Sequence, residues 1–267
     1  MQLENFKSLI QEKFSFPFTK DQEKLLKVLY EFFFSRSLKK TIVLNGYAGT
    51  GKTSIVSALT QIMGKLNYKT MLLAPTGRAA KVISGYSNRR AFTIHKIIYT
   101  YKYVGGRNLF VLKNNTATNT IFIVDEASMI GDNSYMDKKS LLDDLMEYVY
   151  AGKNCSVLFV GDTAQLPPVG EELSRALDPK FLESNFYSEV FQYKLTQVVR
   201  QKEESGILIN ATNIRNKINE EELLPLISNQ EFHDVVQVFG NDLQDELESE
   251  YASKGIENCI VLCRSNK

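Results

Sequence analysis

Between Phe32 and Val124 the chain has no Asp or Glu, although 31 acidic residues occur elsewhere in its 267 residues. The Lys and Arg residues of that span, from Arg36 to Lys113, are therefore unbalanced, and a net charge of +1 conceals a basic stretch inside an acidic remainder. Such a field attracts a polyanion, most simply nucleic acid; a solvated basic face is the plain alternative. Histidine is scarce, with two residues, which argues against a His/Cys metal cage. An odd cysteine count suggests reduced thiols and a cytoplasmic location. Cys259 and Cys263 bound an apolar run read as a strand, with both thiols on one buried face. No apolar run is long enough for a membrane-spanning helix, and Met1–Asn5 lacks the basic-then-apolar order of a signal peptide. Repeats and low-complexity tracts are also missing.

What the chain does have is a sharply punctuated segment, Gly46-Tyr47-Ala48-Gly49-Thr50-Gly51-Lys52-Thr53. The apolar run Thr41–Leu44 precedes it and a helical pattern, Ser54–Leu59, follows. Strand, glycine-rich loop and helix form the context in which G-x-x-x-x-G-K-T binds phosphate. Glycines allow the tight turn and aim backbone N–H groups inward, and the helix N-terminus adds positive partial charge. Gly46, Ala48, Gly49, Thr50, Gly51, Lys52 and Thr53 are thus the ATP-binding candidates. Lys52 would reach the β- and γ-phosphates and Thr53 would hold Mg²⁺.

The surrounding pattern alternates strands with helices and predicts a parallel α/β sheet. Thr19 is read as the N-cap of a helix with Leu25, Leu26, Leu29, Tyr30 and Phe33 on its buried face. Further strands are expected at Thr70–Ala74, Ile121–Val124, Ser156–Val160 and Lys194–Thr196, and a helix at Leu141–Val149. Two β-rich runs around Gly105-Gly106 predict a hairpin over about 98–114. Helices are expected at Gly206–Ile218 and Asp242–Ala252, and strands at Val235–Phe239 and Cys259–Cys263.

Polar signatures cluster at the C-terminal ends of the predicted strands, where open parallel sheets bind ligands. Asp125 could hold Mg²⁺, and Glu126 could orient and deprotonate an attacking water. Gln165, in Gly161-Asp162-Thr163-Ala164-Gln165-Leu166-Pro167-Pro168-Val169, has the chemistry to touch a γ-phosphate; taken in isolation the segment also reads as an ordinary turn. Arg200, at the end of Leu195–Arg200, could stabilise transition-state charge. Lys52, Glu126, Gln165 and Arg200 form the expected catalytic set.

Taken together and in this order, these segments resemble the motifs of the first motor domain of a superfamily 1 DNA helicase, RecD-like branch. Ala74–Lys81 and Thr93–Lys96 are similar to that family's DNA-contacting motifs, and Thr19-x-x-Gln22 to its upstream glutamine motif. The resemblance implies a RecA-like α/β fold and places Gln22 at the adenine edge. It further implies that Pro75, Thr76, Arg78, Thr93 and His95 face single-stranded DNA at a duplex junction. His95 read alone is more often a structural histidine. The hairpin falls where the branch inserts a strand-separating pin; its tyrosines stack on bases or pack against the domain. The implied activity is ATP-driven 5′–3′ translocation and unwinding, with ATP and Mg²⁺. A DNA-binding ATPase switch or loader without unwinding would carry the same motifs, whereas a small-molecule P-loop kinase would not need the acid-free span. The domains are read as 1–220, a RecA-like ATPase, and 221–267, the incomplete start of a second such domain, so that the sequence is expected to be a fragment.

Overall fold

In a computed structural model, the structure describes residues 1–104, 107–132, 139–199, 205–217, 226–229 and 232–263. The chain divides into two compact units, Met1–Gln201 and Lys202–Lys267; the sequence placed this division at 220.

The first unit opens with α1 (Leu3–Gln11) and α2 (Lys20–Phe34). Thr19 caps α2 as expected: its Oγ1 accepts from Gln22 N, and Gln22 Oε1 accepts from Thr19 N, a reciprocal capping box. Then come β1 (Lys40–Gly46), α3 (Lys52–Ile62), β2 (Lys69–Ala74), α4 (Gly77–Ser87), β3 (Ala91–Thr93) and the single-turn α5 (Ile94–Ile98). Strands β4 (Tyr99–Val104) and β5 (Arg107–Leu112) form a separate antiparallel pair, the hairpin expected from the sequence. The unit continues with β6 (Thr120–Val124), α6 (Leu141–Ala151), β7 (Ser156–Gly161), α7 (Pro179–Phe186) and β8 (Glu189–Leu195).

Six strands form one parallel sheet in the order β3-β2-β6-β7-β1-β8. Alternate residues of the central strands serve opposite faces, as the period of two requires. Ile42, Leu44, Ile121, Ile123, Leu158 and Val160 join a core beneath α1, α2 and α3. Val43, Phe122, Val124, Val157 and Phe159 join a second core with α6 and residues of α5 and α7. Covering both faces is what makes Ile121–Val124 of β6 and Val157–Val160 of β7 unbroken apolar runs. Edge strand β8 begins earlier than expected, because it pairs with β1 on one side and mixes Glu189, Gln192 and Lys194 among apolar residues. Among the described residues, the strand-end motifs singled out in the sequence lie at the C-terminal edge of this sheet.

The second unit contains α8 (Gly206–Lys217) and α9 (Leu243–Lys254). The two strands expected here do not form: Val235–Phe239 and Cys259–Cys263 are irregular. A strand needs a partner ladder, and no strand lies among the described residues of this unit. Val236, Phe239, Ile260 and Leu262 are exposed, as is Cys263, while Cys259 is half-buried, so the expected buried pair of thiols is also corrected.

Candidate functional site

The loop between β1 and α3 has the backbone that the sequence demands. Gly49 and Gly51 adopt φ of 80° and 87°, the left-handed region where glycine is unstrained. A Cβ on Gly51 would also lie 2.7 Å from Gln22 Nε2. Thr50 is fully buried, its Oγ1 donating to the Tyr47 carbonyl at 2.8 Å. Lys52 Nζ folds over the loop and donates to the carbonyls of Gly46 and Tyr47, the latter at 3.0 Å. Gln22 is buried, and its Nε2 donates to the Thr50 carbonyl at 3.2 Å. In this structure the Gln22 amide thus buttresses the loop and completes the cap of α2.

The carboxylates follow β6. Asp125 is half-buried, and its Oδ1 accepts from Glu126 N at 3.0 Å. Burial pushes its carboxyl up to about 6; the neighbouring Glu126 charge adds to this, while Lys52 opposes it. A half-buried carboxylate whose ionisation is resisted suits a cation. With the Thr53 hydroxyl it offers hard oxygen donors, the chemistry Mg²⁺ selects while keeping several waters. Glu126 has φ 53°, a conformation that costs a non-glycine residue about 1 kcal/mol or more and tends to mark functional positions.

Two serines missed by sequence reasoning hold this turn in place. Ser128 Oγ donates to Gln165 Oε1 at 2.9 Å, joining the turn after β6 to the loop after β7. Buried Ser174 donates to the carbonyls of Ala127 and Ile130 at 2.9 and 2.6 Å. The β7 loop turns on Asp162, whose Oδ1 accepts from Ala164 N at 2.9 Å, leaving Gln165 exposed.

Asp21, also missed, organises the exit from β8. Its carboxylate accepts from Tyr193 Oη at 2.7 Å, Thr196 N at 2.7 Å and Gln197 N at 3.1 Å. Val199 N then donates to the Gly49 carbonyl at 2.9 Å, so the β8 exit is bonded to the phosphate loop itself. A lone aspartate in a first helical turn and single serines in turns carry no spacing signal that would have identified these roles. Arg200 lies outside the described residues.

The residues assigned to DNA lie farther along the same sheet edge. Ala74 and Thr93 are register partners on β2 and β3, which brings Pro75 and Thr76 beside Thr93. Thr76 caps α4, accepting from Ala79 N at 3.2 Å, and Thr93 caps α5, accepting from Lys96 N at 3.3 Å. Arg78, Lys81, Arg89, Arg90, Lys96 and Lys102 are exposed in the elements from α4 to β4. Exposed His95 lies 5.6 Å from the Tyr99 ring, and Phe110 lies 5.9 Å from Tyr99 and 4.4 Å from Tyr101, giving a run of rings into the hairpin. Tyr101, Tyr103 and Phe110 are 67, 75 and 59% exposed, so these rings do not pack the hairpin against the domain. Tyr99 does anchor it, donating to Asp144 Oδ2 at 2.6 Å. Among the described residues, no helix is long and apolar enough to cross a membrane.

A family model described as an AAA domain matches residues 20–237. The chain is 34% identical over 169 residues to the ATP-dependent RecD2 DNA helicase of Deinococcus radiodurans, covering 63% of this chain and 21% of that protein. It is 31% identical over 183 residues to the ATP-dependent DNA helicase dda of Enterobacteria phage T4, covering 67% and 38%. The chain therefore spans well under half the length of these curated relatives. The Pif1 helicase from Bacteroides, crystallised with ADP-AlF3 and single-stranded DNA, shares the fold with a TM-score of 0.52 at 20% identity, over 92% of this chain and 59% of that one. A phosphate loop, a strand-end acidic pair and a linked glutamine at one sheet edge accord with that match: the chain belongs to the AAA domain family.

Proposed function

We propose that this chain carries the first ATPase domain of a DNA helicase, which couples ATP hydrolysis to 5′–3′ movement along single-stranded DNA and to duplex unwinding. The observation that carries this reading is the single edge of the sheet. Phosphate loop, acidic pair and Gln165 stand at the ends of β1, β6 and β7, and the basic, aromatic surface stands beyond them at β2, β3 and the hairpin.

Lys52 exchanges its bonds to loop carbonyls for the β- and γ-phosphates. Thr53 and Asp125 hold Mg²⁺, which when bound neutralises phosphate charge. Glu126, fixed by its turn and by Ser174, takes the proton of the attacking water. Gln165 orients that water, and its bond to Ser128 ties the orientation to the acidic turn. Arg200 supplies positive charge to the transition state. Gln22 reads the adenine edge on exchanging its loop contact. Pro75, Thr76, Arg78, Thr93 and His95 grip the single strand, and the hairpin rings stack on bases at the junction.

The test is strand separation by the full-length protein on duplexes with 5′ or 3′ overhangs, with Lys52→Ala as control. Unwinding of the 5′-overhang substrate that is lost in the variant is expected. ATP hydrolysis without unwinding of either substrate would favour a switch or loader.

A further inference from the structure

The carboxylate of Asp21 divides its two oxygens between a strand and the chain that leaves it. The helix dipole alone would favour an acidic residue in the first turn of α2, with no further partner. Yet Asp21 Oδ1 accepts from Tyr193 Oη on β8, and Oδ2 accepts from the backbone N–H groups of Thr196 and Gln197 just beyond β8. The same exit is bonded to the phosphate loop. Tyr47 N donates to the Leu195 carbonyl at 3.4 Å, and Val199 N donates to the Gly49 carbonyl at 2.9 Å. The loop is thereby held at two successive carbonyls, Gly49 by Val199 and Thr50 by Gln22 Nε2 at 3.2 Å. In a planar trans peptide the carbonyl and the following N–H point in opposite directions. Tying these carbonyls therefore fixes two peptide planes: Thr50 N is turned to the Tyr47 carbonyl at 3.3 Å, and the direction of the Gly51 N–H is set. Oriented backbone N–H groups are what such a loop offers to an anion. Both ties start from the first turn of α2, where Thr19 and Gln22 cap one another. They differ in one respect. Gln22 must leave its carbonyl to read adenine, whereas that step does not touch the bond at Gly49.

We propose that Asp21 is a positioning residue for the nucleotide phosphates: by fastening the β8 exit it holds Val199 on the Gly49 carbonyl and keeps the phosphate loop in one binding-ready shape. The inference rests on the reading of Gly46–Thr53 as the phosphate loop. A loop already ordered in its binding shape loses less freedom when the ligand arrives, and so binds more tightly.

The test is ADP binding by the full-length protein, measured by titration calorimetry well below the melting temperature. Asp21→Ala is expected to weaken binding about tenfold, because hydrogen bonds to a charged group are the stronger kind. Asp21→Asn is expected to rescue it: the amide oxygen accepts from the exit while the NH₂ faces Tyr193 Oη, which turns from donor to acceptor. Tyr193→Phe removes the bond at Oδ1, leaves the exit amides on Oδ2, and is expected to bind as wild type does. Val199→Pro deletes the N–H at Gly49 without touching α2 and is expected to match Asp21→Ala; it carries the test should Asp21→Ala fold poorly. Unchanged affinity in Asp21→Ala or in Val199→Pro overturns the proposal. Equal weakening in all four variants overturns it in favour of a purely structural role, and tighter binding in Asp21→Asn overturns it in favour of charge repulsion. If the wild-type protein binds ADP no better than Lys52→Ala does, the reading of the phosphate loop fails first, and the inference with it.

Discussion

Asp125 shows the physical tension of the site within one residue. Its carboxyl is pushed up to about 6, first by burial and then by Glu126. A folded-state value above the unfolded one means that the native state favours the proton. Stability is therefore lost as pH rises from about 4 to 6, and the loss persists above that range. Asp125→Asn should accordingly melt higher than wild type at pH 8, by on the order of 1 kcal/mol, with the difference vanishing near pH 4. Calorimetry at the two pH values checks this; equal melting at pH 8 would contradict it. The same carboxyl must be ionised to hold a cation, so Mg²⁺-dependent nucleotide binding should weaken as pH falls below about 6. Gly51 is a second sensitive position. With φ of 87° and a Cβ position 2.7 Å from Gln22 Nε2, Gly51→Ala should cost about 1–3 kcal/mol in urea unfolding and weaken nucleotide binding.

At the scale of elements, the N-terminus of α2 joins the phosphate loop to the exit of β8. Burial alone would raise the Asp21 carboxyl, but hydrogen bonds from Tyr193, Gln197 and Thr196 outweigh it and hold the group below its usual range. A lowered value gives stability that is present above the unfolded pKa and lost as pH falls through the folded one. Asp21→Ala should lose about 1–2 kcal/mol at pH 7, and the deficit should shrink near pH 3. The hairpin behaves oppositely. Tyr101→Ala with Phe110→Ala should leave the melting temperature nearly unchanged, since both rings are exposed, while weakening single-stranded DNA binding by about 1–3 kcal/mol per stacked base. Unchanged DNA affinity would remove the hairpin from the interface. The sequence displayed these elements unevenly. Strands covered on both faces, β6 and β7, were legible because burial leaves Ile121–Val124 and Val157–Val160 without a polar residue. Helices α1 and α7 and the three-residue β3 were not, because short elements take their stability from tertiary packing rather than from pattern. The same apolar signal misled at Val235–Phe239 and Cys259–Cys263, where no partner strand lies among the described residues.

Across the whole molecule, strand-end chemistry was readable because fixed spacing exposes it: glycines, Lys52 and Thr53 in the loop, then Asp125-Glu126. The supports were not readable, because Asp21, Ser128 and Ser174 act through contacts made only on folding. Charge distribution gives one further expectation. Single-stranded DNA binding should fall steeply with salt, and Arg78→Glu should flatten that dependence, because released counterions set the slope. Salt-insensitive binding would remove the phosphate-gripping role of the basic span. The central claim is that ATP chemistry and DNA contact share one sheet edge and act together. It is tested most directly by ATP hydrolysis of the full-length protein titrated with single-stranded DNA. We expect hydrolysis to rise at least about tenfold with DNA and to disappear in Lys52→Ala at every DNA concentration. Hydrolysis that ignores DNA, or that survives in Lys52→Ala, would contradict the account.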